Sequence, residues 1–104
     1  MKEISVSELK TLKDTNSDFQ LIDVREQHEV DICEIGGEHI VMGEVMDNLD
    51  KISKTKQVIV HCRSGARSGA ICKALEAKGY TNVYNLKGGI IAWANEVDTT
   101  LAKY

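Results

Sequence analysis

A chain of 104 residues, 42% of them hydrophobic, has the length for one core, so residues 1–104 are expected to form a single domain. The net charge of −3 and an aromatic content of 5% argue against nucleic-acid binding. The opening MKEISVSELK has no apolar run of signal-peptide length and no later stretch approaches a membrane span, so a cytoplasmic protein without membrane contact is expected. Three cysteines, Cys33, Cys62 and Cys72, form an odd, sparse set without metal-ligand spacing, which suits free thiols in a reducing compartment.

In chain order, Ile4-Ser5-Val6 reads as a short opening strand, with Ser7 as the cap of a helix over Glu8 to Lys13. Thr15 to Asp18 is a polar turn, and Phe19 to Val24 (FQLIDV) a buried strand with Asp23 and Arg25 at its end. Glu26 to Val30 is expected to be a short helix. Gly36-Gly37 breaks the chain before a brief strand, His39-Ile40-Val41. Gly43 to Leu49 suits a helix with Val45, Met46 and Leu49 turned inward. Val58-Ile59-Val60 is an uninterrupted β-branched run, the mark of a strand buried on both faces of a parallel sheet. Beyond the loop Cys62 to Ser68, Ala70, Ile71, Ala74, Leu75 and Ala77 recur at helical spacing until Gly79 ends the helix. Val83 to Leu86 is a last strand, Lys87-Gly88-Gly89 a turn, and Ile90 to Trp93 the start of an apolar helix with Trp93 as a core anchor. Thr99 to Tyr104 reads as a peripheral tail. Alternation of strand and helix signals predicts an α/β fold: a small parallel sheet with helices on both faces.

In such a sheet, ligands bind beyond the carboxyl ends of the strands, where Cys62, Asp23 with Arg25, and the Lys87-Gly88-Gly89 turn all fall. Cys62 also precedes a helix N-terminus, whose first amides have no intrahelical partner and carry the positive end of the helix dipole. A thiolate there is stabilised, and Arg63 and Arg67 are expected to lower its pKa further. Gly65 permits turn conformations that a side chain hinders. The backbone from Arg63 through Ser64, Gly65, Ala66 and Arg67 to Ser68 can then curl around a small anionic group on the Cys62 sulfur.

The loop HCRSGARS, with LIDVRE upstream and VYNLKGGIIAW downstream, resembles the single-domain rhodaneses, a sulfurtransferase family, over nearly the whole chain. The segment HEVDICEIGGEHIVMGEVMDNL is similar to rhodanese-like domains associated with sulfur-carrier adenylyltransferases. The resemblance implies that Cys62 takes a sulfane sulfur from thiosulfate or a persulfide, holds it as a persulfide and passes it to cyanide, a thiol or a protein acceptor. It implies Arg63 and Arg67 as anion-binding side chains, the backbone from Arg63 to Ser68 as the cradle, and no metal or organic cofactor. It also makes Asp23 and Arg25 supporting residues in the wall behind the loop; an ion pair or turn-forming hydrogen bonds account for them equally well. Related cysteine phosphatases and arsenate reductases place one residue more between cysteine and arginine. The four here, Arg63 to Ala66, fit the tighter sulfurtransferase loop.

Eight acidic residues and no Lys or Arg lie between Glu26 and Asp50, whereas seven basic residues stand against Glu76 alone from Lys51 to Lys78. Two solvated faces explain this pattern; steering of anionic donors is expected from Arg63 and Arg67 only. A partner-dependent sulfur-carrier or binding module, docking through the acidic segment, is the alternative function. Cys72 reads as buried packing and Cys33 as an exposed or half-buried spectator. His61 should point away from Cys62, because neighbours on a strand face opposite sides. His28 and His39 lack metal-ligand spacing.

Overall fold

The β-branched run Val58-Ile59-Val60 forms the middle of the central strand, and none of its three side chains reaches solvent. The computed structural model describes residues 1–104. Its strands are β1 (Glu3–Ile4), β2 (Phe19–Asp23), β3 (Glu38–His39), β4 (Gln57–His61) and β5 (Val83–Leu86). They form one parallel sheet in the order β1-β5-β4-β2-β3. The helices are α1 (Val6–Asp14), α2 (Gln27–Ile32), α3 (Ala66–Ala77) and α4 (Gly89–Glu96), with 3-10 turns at Met42–Asp47 and Leu49–Lys51. No helix is long and apolar enough to cross a membrane.

Strand alternation sorts the core into two layers. Ile22, Val24, Val58, Val60 and Cys62 pack with Ile71, Cys72 and Leu75 of α3 on one face. Leu21 and Ile59 pack with Leu9 of α1 and with Ile90 and Trp93 of α4 on the other. Trp93 is the core anchor that its sequence position suggests. The β2–β4 register sets Asp23 beside His61, and so at the same sheet edge as Cys62.

Several boundaries differ from the sequence reading. The cap of α1 is Ser5, not Ser7: the Ser5 hydroxyl accepts from the Glu8 amide, and Glu8 accepts from the Ser5 amide, each at 3.1 Å. Such a capping box contributes about 1 kcal/mol and ends β1 at Ile4. β2 stops at Asp23, and β3 covers Glu38 and His39 rather than 39–41. The 43–49 segment winds as 3-10 turns, whose tighter phase buries Val45 and half-buries Leu49 but leaves Met46 exposed. Cys33 is buried, against expectation, because the chain leaving α2 turns its side chain into the layer shared with Leu21, Ile35 and Trp93. Lys51, Lys54 and Lys56 precede β4 and lie at the amino end of the sheet, opposite Cys62. Of the basic segment, Arg63 lies on the Cys62 loop and Arg67 in the first turn of α3, which begins at Ala66 and so takes in the end of the loop expected to run to Ser68.

Candidate active site

β4 delivers Cys62 one residue past its end, and the chain turns at Gly65 (φ +112°) to start α3 at Ala66. This conformation strains any residue with a Cβ, which explains the glycine. The loop rests on the turn before α4. Cys62 and Arg63 carbonyls accept from the Ile90 and Ile91 amides at 3.0 and 3.1 Å. A Cβ at Gly89 would stand 2.3 Å from the Arg63 carbonyl oxygen, so only glycine permits this backbone contact. The Lys87-Gly88-Gly89 turn thus supports the loop from behind.

The Cys62 side chain is 1% exposed. Its Sγ faces the Gly65 amide at 3.1 Å and the Ser68 hydroxyl at 3.3 Å. Burial pushes the thiol pKa up, but the Ser68 hydroxyl and the amides of Ser68, Gly65 and Ser64 outweigh it and hold the thiol below its ordinary value. The strongest stabilisation of the thiolate thus comes from loop donors, not from the two arginines.

Asn85 completes this arrangement and is not evident in the sequence reading. Its Oδ1 lies 2.5 Å from Ser68 Oγ, and its Nδ2 donates to the Gly65 carbonyl at 3.0 Å. Ser68 therefore has one proton and two acceptors, Asn85 and the Cys62 sulfur. Ionisation of Cys62 favours turning that proton to sulfur, since charge-assisted hydrogen bonds are the stronger kind. The one signal for Asn85 in the sequence is a lone amide in the otherwise apolar run VYNL. Replacing Ser68 with alanine should raise the Cys62 pKa by about one unit and slow iodoacetamide alkylation near neutral pH up to about tenfold. The pH profile of alkylation reads this directly; an unchanged midpoint would remove Ser68 from the thiolate's support.

Asp23 and Arg25 form a buried ion pair. Arg25 donates Nε and Nη2 to the two Asp23 oxygens, Nη2 to the Cys33 carbonyl at 2.8 Å and Nη1 to the Tyr104 hydroxyl at 3.0 Å. Burial pushes the Asp23 carboxyl up; the Arg25 hydrogen bond and the neighbouring His61 and Arg25 charges leave it below the usual range. His61 is fully buried, points away from Cys62 and sets Nδ1 3.2 Å from the Cys62 carbonyl. Burial holds its pKa low.

The arginines are engaged by partners that the sequence does not announce. Arg67 makes a two-pronged ion pair with Glu29 of α2, at 2.6 and 2.9 Å. Those hydrogen bonds, with help from Tyr104, hold the Glu29 carboxyl far below the carboxylate range. Glu29 belongs to the acidic run yet is buried rather than displayed. Arg63 donates Nε to the main-chain oxygen of Tyr104 at 2.8 Å, and its Nη2 donates to the same atom. The tail is therefore not peripheral: Tyr104 closes over the arginines of the site. Cys72 is fully buried on α3 and its pKa is pushed up to about 12, chiefly by burial. No three His, Cys, Asp or Glu side chains converge as a metal site would.

Fold and site together define a class: a parallel α/β chain with a cysteine at the end of its central strand, facing the amides of a short loop that opens a helix. Within that class the family is established, since residues 5–96 match the rhodanese-like domain and the chain belongs to that family. YtwF of Bacillus subtilis, provisionally named a sulfurtransferase, is 39% identical over 97 residues, covering 92% of this chain and 93% of that protein. A sulfurtransferase of Allochromatium vinosum is 36% identical over 95 residues, covering 90% and 89%. A rhodanese-like domain protein from Staphylococcus aureus superposes with a TM-score of 0.85 at 33% identity, covering 93% of this chain and 95% of that one.

Proposed function

We propose that the chain is a sulfurtransferase that carries a sulfane sulfur as a persulfide on Cys62. The observation that carries this reading is the Cys62 sulfur facing the Gly65 amide and the Ser68 hydroxyl within 3.3 Å. These donors match the needs of a thiolate and, once it is loaded, of one terminal sulfur. In the loading step the Cys62 thiolate attacks the outer sulfur of the donor. An S–S bond forms at Cys62 and the donor's own bond to that sulfur breaks. With thiosulfate, sulfite leaves and Cys62 keeps an anionic persulfide. With an organic persulfide, a thiolate leaves and the outer proton stays on the transferred sulfur. In the discharge step a nucleophile attacks that outer sulfur: cyanide departs as thiocyanate, a thiol as a new persulfide, and the Cys62 thiolate returns. Arg67 takes the role of a fixed positive charge beside the loop, held there by its ion pair with Glu29.

Protein acceptors are part of the proposal, since relatives include YrkF of Bacillus subtilis, provisionally named a sulfur carrier protein, 28% identical over 97 residues and matched over 52% of its length. Three free thiols suit a reducing compartment, and the cytoplasm is the proposed location. Initial-rate kinetics test the cycle. Parallel double-reciprocal lines for donor and cyanide are expected of a covalent intermediate that forms before the acceptor binds. Intersecting lines would mean direct transfer between donor and acceptor and would overturn the persulfide cycle.

A further inference from the structure

Sulfur donors divide into oxyanions such as thiosulfate, which place a sulfonate-like group beside the attacked sulfur, and organic persulfides, which do not. Which of the two a site takes depends on whether it has a cation free to receive oxygen atoms. Near Cys62 each cation already has a partner. Arg25 is fully buried against Asp23. Arg67 spends both prongs of its guanidinium on Glu29. Arg63 is the one guanidinium of the three without a side-chain carboxylate partner, and its Nε and Nη2 both donate to the main-chain oxygen of Tyr104.

Tyr104 is itself firmly held. Its hydroxyl donates to Glu29 Oε2 at 2.6 Å and accepts from Arg25 Nη1 at 3.0 Å, and both partners are buried. Its ring centroid is 5.8 Å from the guanidinium of Arg25 and 5.1 Å from that of Arg63. The side chain thus anchors the backbone oxygen that occupies the Nε–Nη2 edge of Arg63, and an incoming oxyanion must break those two bonds to gain that edge for a two-pronged contact. A persulfide asks nothing of Arg63, because the loop amides and the Ser68 hydroxyl already serve a single sulfur.

Resting on the sulfur-transfer reading, we infer that Tyr104 determines donor specificity: it withholds Arg63 from oxyanion donors and leaves organic persulfides as the sulfur source. Tyr104 touches no reacting atom; it acts through Arg63.

Two measurements test this. In the first, kcat and KM are compared for thiosulfate and for a small alkyl persulfide generated in situ, using the full chain, Tyr104→Ala, and a chain ending at Leu101 that keeps the packing of Leu101. Hydrogen bonds to a charged group are worth enough that freeing Arg63 should lower the thiosulfate KM about tenfold. The persulfide KM should stay within about twofold, and adding Arg63→Ala should cancel the thiosulfate gain. A purely structural role for Tyr104 would weaken both donors together, and that result overturns the inference, as does an unchanged ratio. The second measurement needs no turnover. In the full chain carrying Cys62→Ser, the Arg63 Nε–H resonance is titrated with thiosulfate, expected to bind only weakly, with saturation far above that of the same titration on Tyr104→Ala. Tight binding to the full chain at Arg63 would overturn the inference whether or not sulfur is transferred. Failure of the wild type to accept sulfur from either donor would instead count against the sulfur-transfer reading.

Discussion

Cys62→Ser is expected to lower sulfur transfer by more than about 10³-fold while leaving the fold intact. A serine hydroxyl does not ionise near neutral pH and forms no persulfide, so both halves of the cycle are lost. The surroundings accept the change: Oγ can still receive the Gly65 amide and meet the Ser68 hydroxyl, so no buried donor is stranded. Turnover with either donor and a urea unfolding curve read the two halves of this expectation. The comparison with Cys72→Ser gives the result its meaning. Cys72 is also buried and lies on α3, but its pKa of about 12 keeps it a thiol at neutral pH, so its exchange should preserve turnover. Equal losses at the two positions would indicate a general disturbance of the α3 layer rather than loss of a nucleophile.

The largest effect on stability is expected at Arg25. Its guanidinium is wholly buried and satisfies the two Asp23 oxygens, the Cys33 carbonyl and the Tyr104 hydroxyl. Arg25→Ala leaves the Asp23 carboxylate, 2% exposed, without its counter-charge, and removing one member of a buried pair costs about 3–5 kcal/mol. The effect also has a pH signature. In the wild type the Asp23 pKa is lowered in the folded state, so its contribution is present above the unfolded carboxylate value and is lost as pH falls towards and below it. In the variant, burial is opposed only by the residue 25 amide and His61, so the folded pKa rises above its wild-type position and protonation costs the variant less. Acidification from neutral pH should therefore narrow the stability gap between the two proteins. Urea midpoints across that range check it; a loss below about 1 kcal/mol, as for a surface pair, would show that the pair is solvent-screened.

How much of this was legible in the sequence depended on how local each interaction is. β4, its loop and α3 could be read from QVIVHCRSGARSGAICKALEAKGY because a β-branched run, a glycine and a helical repeat are contiguous signals. Cys62 and its amide donors followed from the same stretch. The capping box at Ser5 and Glu8 was present in the sequence, but a strand assigned through Val6 hid it. Glu29 and Tyr104 were missed for another reason. Their bonds join positions 38 and 75 residues apart, and nothing in HEVDI or LAKY records that one acid turns inward or that a tail returns over the site. Arg63 lies on the loop as its position suggests, whereas Arg67 falls in the first turn of α3, and the engagement of both depends on these distant partners.

Intact-protein mass spectrometry tests the central claim most directly. Wild type and Cys62→Ser are incubated with an alkyl persulfide or thiosulfate, desalted, and then treated with cyanide. A gain of one sulfur, about 32 Da, is expected on wild type alone, removed by cyanide with release of thiocyanate. No gain from either donor, or an equal gain on Cys62→Ser, would contradict a persulfide carried by Cys62.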